Sequence, residues 1–246
     1  MKKNYLLVLL VIALGFIVAP FYVKATGPTL QSIIDDAEEG AVIVLDRDYD
    51  EYLTIRKDIT IDLAGNTIST NPQEWELINV VGATLTIKDS VGGGKIVQEA
   101  GGNAIQLNVD YDTDDVEGAN NTEPRAKVIL NSGTIESNEI GIALFNNSEF
   151  VMNGGKVIAT GDEYYAVCGN GTINKTSNNY GVNSKIVIND GELVSDDYAI
   201  YQPQTQGETI INGGTITGKA GAVAVNRGIL TINGGTLVSL GTDAIP

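Results

Sequence analysis

Ile211-Asn212-Gly213-Gly214-Thr215-Ile216 and Ile232-Asn233-Gly234-Gly235-Thr236-Leu237 are nearly one phrase written twice. Looser copies precede them: Leu130-Asn131-Ser132-Gly133-Thr134-Ile135, Met152-Asn153-Gly154-Gly155-Lys156-Val157 and Ile188-Asn189-Asp190-Gly191-Glu192-Leu193. The Asn residues stand at 131, 153, 189, 212 and 233, with separations of 22, 36, 23 and 21. The basic period is therefore near 22, with one insertion of about 13 residues. A second phrase keeps the same phase: Ala104-Ile105, Gly141-Ile142, Ala166-Val167, Ala199-Ile200, Ala222-Val223 and Ala244-Ile245.

Each repeat reads as short strands. Residues before each Asn alternate, which directs Val128/Leu130, Phe150/Met152, Ile186/Ile188, Thr209/Ile211 and Leu230/Ile232 inward. After the turn, Ile135, Val157, Leu193, Ile216 and Leu237 also face inward. Asn-Gly-Gly supplies residues that accept positive φ at a tight bend. A period this short is too small for a propeller blade but suits one coil of a parallel β-helix, each strand pairing with its counterpart one repeat later. Coils stack about 4.8 Å apart, so the recurring Asn side chains are expected to hydrogen-bond in a ladder.

The fold class is all-β, a single domain over 26–246 with about eight coils. In its more divergent early part, Ala41 to Leu45, Leu53 to Ile55, Ile59 to Leu63 and Thr84 to Ile87 read as strands. Leu30, Ile33, Ile34 and Ala37 fall at helical spacing, so Thr29 to Glu39 is expected to form a short helix, with Thr29 as N-cap and Gly40 as the stop. It would cover the open end of the stack. Ala244-Ile245-Pro246 begins another coil, which implies a blunted edge, a continuing chain or a partner.

Composition removes several mechanisms. The 246 residues include no His and one Cys, so no Ser-His-Asp triad, Cys-His pair, His-ligated metal or internal disulfide can form. With 31 acidic and 15 basic residues the formal charge is −16, which argues against nucleic acid as a partner. Three of the lysines lie in the first 25 residues, whose positive head, apolar run from Tyr5 to Ala19 and Val23-Lys24-Ala25 site have the layout of a secretory signal peptide cleaved after Ala25. An uncleaved N-terminal membrane anchor is the other reading; either way the mature part is expected outside the cytoplasm, secreted or at the cell surface.

Leu30-Gln31-Ser32-Ile33-Ile34-Asp35-Asp36-Ala37, Ala41-Val42-Ile43-Val44-Leu45 and Ile59-Thr60-Ile61-Asp62-Leu63-Ala64-Gly65-Asn66-Thr67-Ile68 together resemble the opening of pectate-lyase-like β-helix adhesive domains of bacterial surface proteins. The Asn-Gly-Gly repeats resemble their body. The resemblance implies a right-handed, single-stranded parallel β-helix used for attachment or display, with an extracellular polysaccharide or a host or cell-surface protein as partner. It brings no shared catalytic residues and no cofactor.

Two insertions break the period, 108–127 and 170–183. The first contains Asp110, Asp112, Asp114 and Glu117, whose alternate acids match the start of a calcium loop. Asp115 stands where such a loop needs Gly, so the alternative is a solvated acidic segment. Tyr111, Tyr180 and Tyr201 offer ring faces and hydroxyls to sugars, or else pack within the fold. Tyr165 and Tyr198 hold equivalent positions and are expected to stack on one another. Cys168 aligns with Ala143 and Ala224 as a small strand residue; a lone thiol also offers a dimerisation point. The enzymatic alternative is a calcium-dependent polysaccharide lyase, with Arg125 beside Asp110, Asp112 and Asp114, or a glycoside hydrolase with paired carboxylates. Ile129, Val151, Val187, Ile210 and Thr231 form a column that makes an outward apolar stripe unless an insertion covers it.

Overall fold

Leu130 pairs with Met152, Met152 with Ile188 and Ile188 with Ile211, each in parallel register one repeat apart. That register is the fold in miniature. The computed structural model describes residues 27–69, 76–99, 101–108, 125–145, 147–169, 184–203 and 206–241. Their strands form three parallel sheets of 8, 8 and 7 strands. Successive strands visit the three sheets in turn, and every pairing is parallel, so the chain is a parallel β-helix.

The first sheet runs from Ala41–Val44 to Ile229–Ile232 and the second from Tyr49–Asp50 to Thr236–Ser239. The third runs from Leu53–Ile55 to Gly221–Val225. The expected strands are present with ends shifted by a residue at most, for instance Ile59–Asp62 and Thr84–Lys88. Glu76–Val80 was not legible as a strand. All five of its residues are buried, so it lacks the alternation by which a half-exposed strand is recognised.

Alternation elsewhere matches the inward assignments. Val128, Leu130, Phe150, Met152, Ile186 and Ile188 are fully buried, as are Ile135, Val157, Leu193 and Ile216. Each such side chain contributes about 1.5–3 kcal/mol by leaving water. Leu230, Ile232 and Leu237 occupy the same columns but are 39%, 50% and 40% exposed, because they belong to the last described coil and no described coil lies over them. Thr209 also points into the core, where its Oγ1 has no hydrogen-bond partner among the described residues.

The expected terminal helix forms, shorter than the sequence implies. Helix α1 spans Leu30–Asp36, and Thr29 Oγ1 accepts from the Ser32 N–H as N-cap. Ala37 is already extended and closes the helix, so Gly40, at φ 78°, belongs to the turn into the first strand. Leu30 and Ile34 are buried in the core cluster. The Glu51 carboxylate accepts from the Leu30 and Gln31 N–H groups at 2.6 and 3.1 Å, which ties the start of α1 to the first coil.

The Asn ladder is complete at the corner between the first and second sheets. Asn153 donates to Asn131 at 2.9 Å, Asn189 to Asn153 at 2.8 Å, Asn212 to Asn189 at 2.8 Å and Asn233 to Asn212 at 2.7 Å. Upstream the same column carries Lys88 and Asp62, which form an ion pair at 3.2 Å. Beside them Asp89 accepts from the Gly65, Gly92 and Gly94 N–H groups at 2.8, 3.1 and 2.7 Å. One carboxylate there satisfies the backbone of a glycine turn that has no Asn rung. Gly155, at φ 78°, shows why glycine follows the Asn: a Cβ there would stand 2.6 Å from the Gly133 oxygen of the coil beneath.

Candidate ligand-binding surface

The outer face of the third sheet has an unusual burial pattern. Gln106, Ala143, Cys168, Tyr201 and Ala224 share one register column. Ala143 and Cys168 are buried, yet neither belongs to the core cluster that holds their neighbours Ile142 and Val167. Gln106 is 2% exposed. Cys168 thus sits where the sequence alignment of coils put it, as a small strand residue. Burial pushes its thiol up to about 12, and that burial removes the dimerisation alternative.

Further along this face are the tyrosines. Tyr165 stacks on Tyr201 with ring centroids 4.7 Å apart and an interplanar angle of 25°. This corrects the expected pairing of Tyr165 with Tyr198. The Val167–Ile200 register, carried back two residues, would set Tyr165 against Tyr198, but Tyr198 pairs in the next coil with Gly221 and its ring lies over that glycine. The Tyr165 ring is left to meet Tyr201 instead. Asn226 Nδ2 donates to the Tyr201 hydroxyl at 2.9 Å. Burial, then the nearby Asp197 charge, pushes Tyr165 up to about 12, so its hydroxyl stays protonated and able to donate. Asp197 is itself raised by burial and, less strongly, by the charge of Glu163. The pair therefore offers one partly exposed ring platform bordered by amide, hydroxyl and carboxylate groups.

Of the other proposed ligand residues, Tyr111 and Tyr180 lie outside the described residues, as do Asp110, Asp112, Asp114 and Glu117. Strand order nevertheless locates both insertions in the coil. The first follows Asn103–Leu107 and precedes Ala126–Leu130; the second follows Val167–Gly169 and precedes Lys185–Ile188. Both fall where the third sheet passes to the first, two coils apart, or about 10 Å along the axis. The corner of the intervening coil is short, with Leu144 and Ser148 separated by only three residues. Among the described residues, no group of three or more acids or cysteines is placed to hold a metal ion.

Arg125 pairs with Glu149 Oε2 at 3.4 Å, and Lys127 reaches Glu149 Oε1 at 3.3 Å. Arg47 pairs with Asp46, donates to the Pro28 carbonyl and lies over the Tyr49 ring. A shallow depression of about 340 Å³ on the second sheet is lined in part by Glu136, Ser137, Asn138 and Ile158. Its polar groups serve the fold: Lys95 pairs with Glu136 at 2.9 Å, Ser137 Oγ donates to the Gly102 carbonyl, and Asn138 bridges Gly101 and Glu99.

Sequence reasoning missed an ion-pair column on the first sheet. Lys127, Glu149, Lys185 and Glu208 are register neighbours of alternating charge, with Lys185–Glu208 at 2.8 Å. Their separations are 22, 36 and 23, the same as those of the Asn column, so the signal was present in the sequence. Comparison with protein-family models, with curated proteins and with solved structures found no match, so the architecture rests on the chain's own topology.

Proposed function

We propose that this chain is an exported, non-catalytic β-helix module of the pectate-lyase-like adhesive type, which binds carbohydrate or protein outside the cell. The observation that carries this reading is the shared origin of the two insertions at one corner, next to the outer face that bears the Tyr165–Tyr201 stack. A rigid solenoid holds such a corner in fixed position, and loops on one flank of a solenoid commonly form its contact surface. Stacked phenol rings take the apolar face of a sugar, while Asn226 and the tyrosine hydroxyl lie within reach of its hydroxyls. The N-terminal 25 residues support export; calcium held by Asp110, Asp112, Asp114 and Glu117 is part of the same proposal.

The test is a glycan array probed with the wild-type chain and with Tyr201→Ala and Tyr165→Ala. Selective binding that both substitutions weaken supports the reading. Release of an unsaturated, ultraviolet-absorbing product from a uronic-acid polysaccharide would replace it with a lyase. Absence of glycan binding together with capture of a surface protein would leave the adhesive reading and discard the sugar.

A further inference from the structure

The outer face of the first sheet carries three regular columns along the solenoid axis. At the centre, all eight strands place a β-branched residue, from Val42, Thr60 and Thr86 to Thr231. Ile129, Val151, Val187 and Ile210 are consecutive in it and make a ridge about 14 Å long. None is in the core cluster, and all four keep partial exposure. On one side, two residues along each strand and thus about 7 Å away, runs the Asn ladder; on the other runs the alternating Lys–Glu column.

We infer that this face is a docking surface for a neutral, unbranched polysaccharide lying along the solenoid axis. This rests on the proposed carbohydrate reading and deepens it by naming a second contact face beside the tyrosine platform. The chemistry of the three columns selects the occupant. The central ridge takes the C–H face of a sugar chain. Each interior Asn spends one donor and one acceptor on its neighbours and retains a second of each for hydroxyls, repeated about every 4.8 Å. Arg125, Lys127 and Lys185 face Glu149 and Glu208, so the charges of this face nearly balance and give a long polyanion or polycation little to bind. A second copy would bring another −16 charge against the first. A peptide strand is unsuited as well, because the backbone groups inside the sheet are already paired with neighbouring strands.

A one-dimensional array predicts an affinity that climbs with ligand length, since each further sugar adds contacts without a new association cost. The experiment is calorimetric titration of the full chain with β-1,4-linked glucose oligomers of two to eight units, together with retention on microcrystalline cellulose and chitin. The expected result is tighter binding at each added unit, and a loss of about tenfold for Val187→Lys, from removing roughly one apolar contact. Val187→Thr, which keeps the branched shape, should lose less, and far-ultraviolet dichroism establishes that both variants fold. Lys219→Ala, an exposed position just beyond the Thr215–Gly218 strand and off this face, should leave this binding unchanged. If Val187→Lys binds as the wild type does, the face is not the site, although the carbohydrate reading survives at the tyrosines. If no neutral polymer binds while the glycan array shows other ligands, this inference fails and the module's broader role stands.

Discussion

Removing the amide of Asn189 tests the ladder most sharply. Asn189 donates to Asn153 at 2.8 Å and accepts from Asn212 at 2.8 Å, so Asn189→Ala deletes two side-chain hydrogen bonds. Asn131 ends the ladder and has one such bond, the one it accepts from Asn153. A net hydrogen bond contributes about 0.5–1.5 kcal/mol, toward the lower end where water competes. Asn189→Ala should therefore cost about 1–3 kcal/mol and Asn131→Ala about half as much. Urea unfolding followed by dichroism measures both, with the slope of each transition checked for a change in cooperativity. A double-mutant cycle between Asn153 and Asn189 should return a coupling of about 0.5–1.5 kcal/mol. Equal costs for the middle and end rungs, with no coupling between neighbours, would show that the aligned amides contribute nothing to stability.

Four further expectations concern stability. Thr209→Val replaces a buried hydroxyl that has no partner among the described residues with a methyl of the same shape, and should raise stability by about 1–2 kcal/mol in the same unfolding assay. Gly155→Ala should lower it by at least about 1–2 kcal/mol, since alanine at φ 78° is strained and its Cβ presses on the Gly133 oxygen. Acid should destabilise the fold through Asp89 and Asp62. Burial raises both, but backbone donors (with Lys88 beside Asp62) outweigh it and hold each below its ordinary value. Their stabilisation is present above the ordinary carboxyl range and is lost as pH falls through the lowered folded values. Asp89→Asn should flatten that acid limb in melting curves taken from pH 6 down to about 2. Asp197 has the opposite sign: its raised value makes its ionised form unfavourable in the fold, so Asp197→Asn should help at neutral pH and matter little in acid.

The repeat made the body of the fold legible because each coil must satisfy the same geometry. Asn153, Asn189 and Asn212 repeat since only matching amides can bond up the stack, and Phe150 and Ile186 alternate with outward residues since one face is dry. The reading weakened where that rule does not bind the chain. Glu76–Val80 is buried on both faces and has no alternation to read. The Tyr165–Tyr201 stack depends on a glycine at 221, a partner of neither ring, which lets Tyr198 lean away. The insertions carry polar residues chosen for something other than stacking, so their period is lost, although strand order still fixes the corner from which they emerge.

Contacts between coils join each storey only to the one above and the one below. Length is therefore adjustable in this molecule. An in-frame duplication of one period, such as the 21 residues from Asn212 up to Asn233, would heighten the prism by one step of about 4.8 Å while keeping every column in phase. Such a protein can change its reach by copying a segment of its own gene, with the helical lid and the loop-bearing corner left as they were.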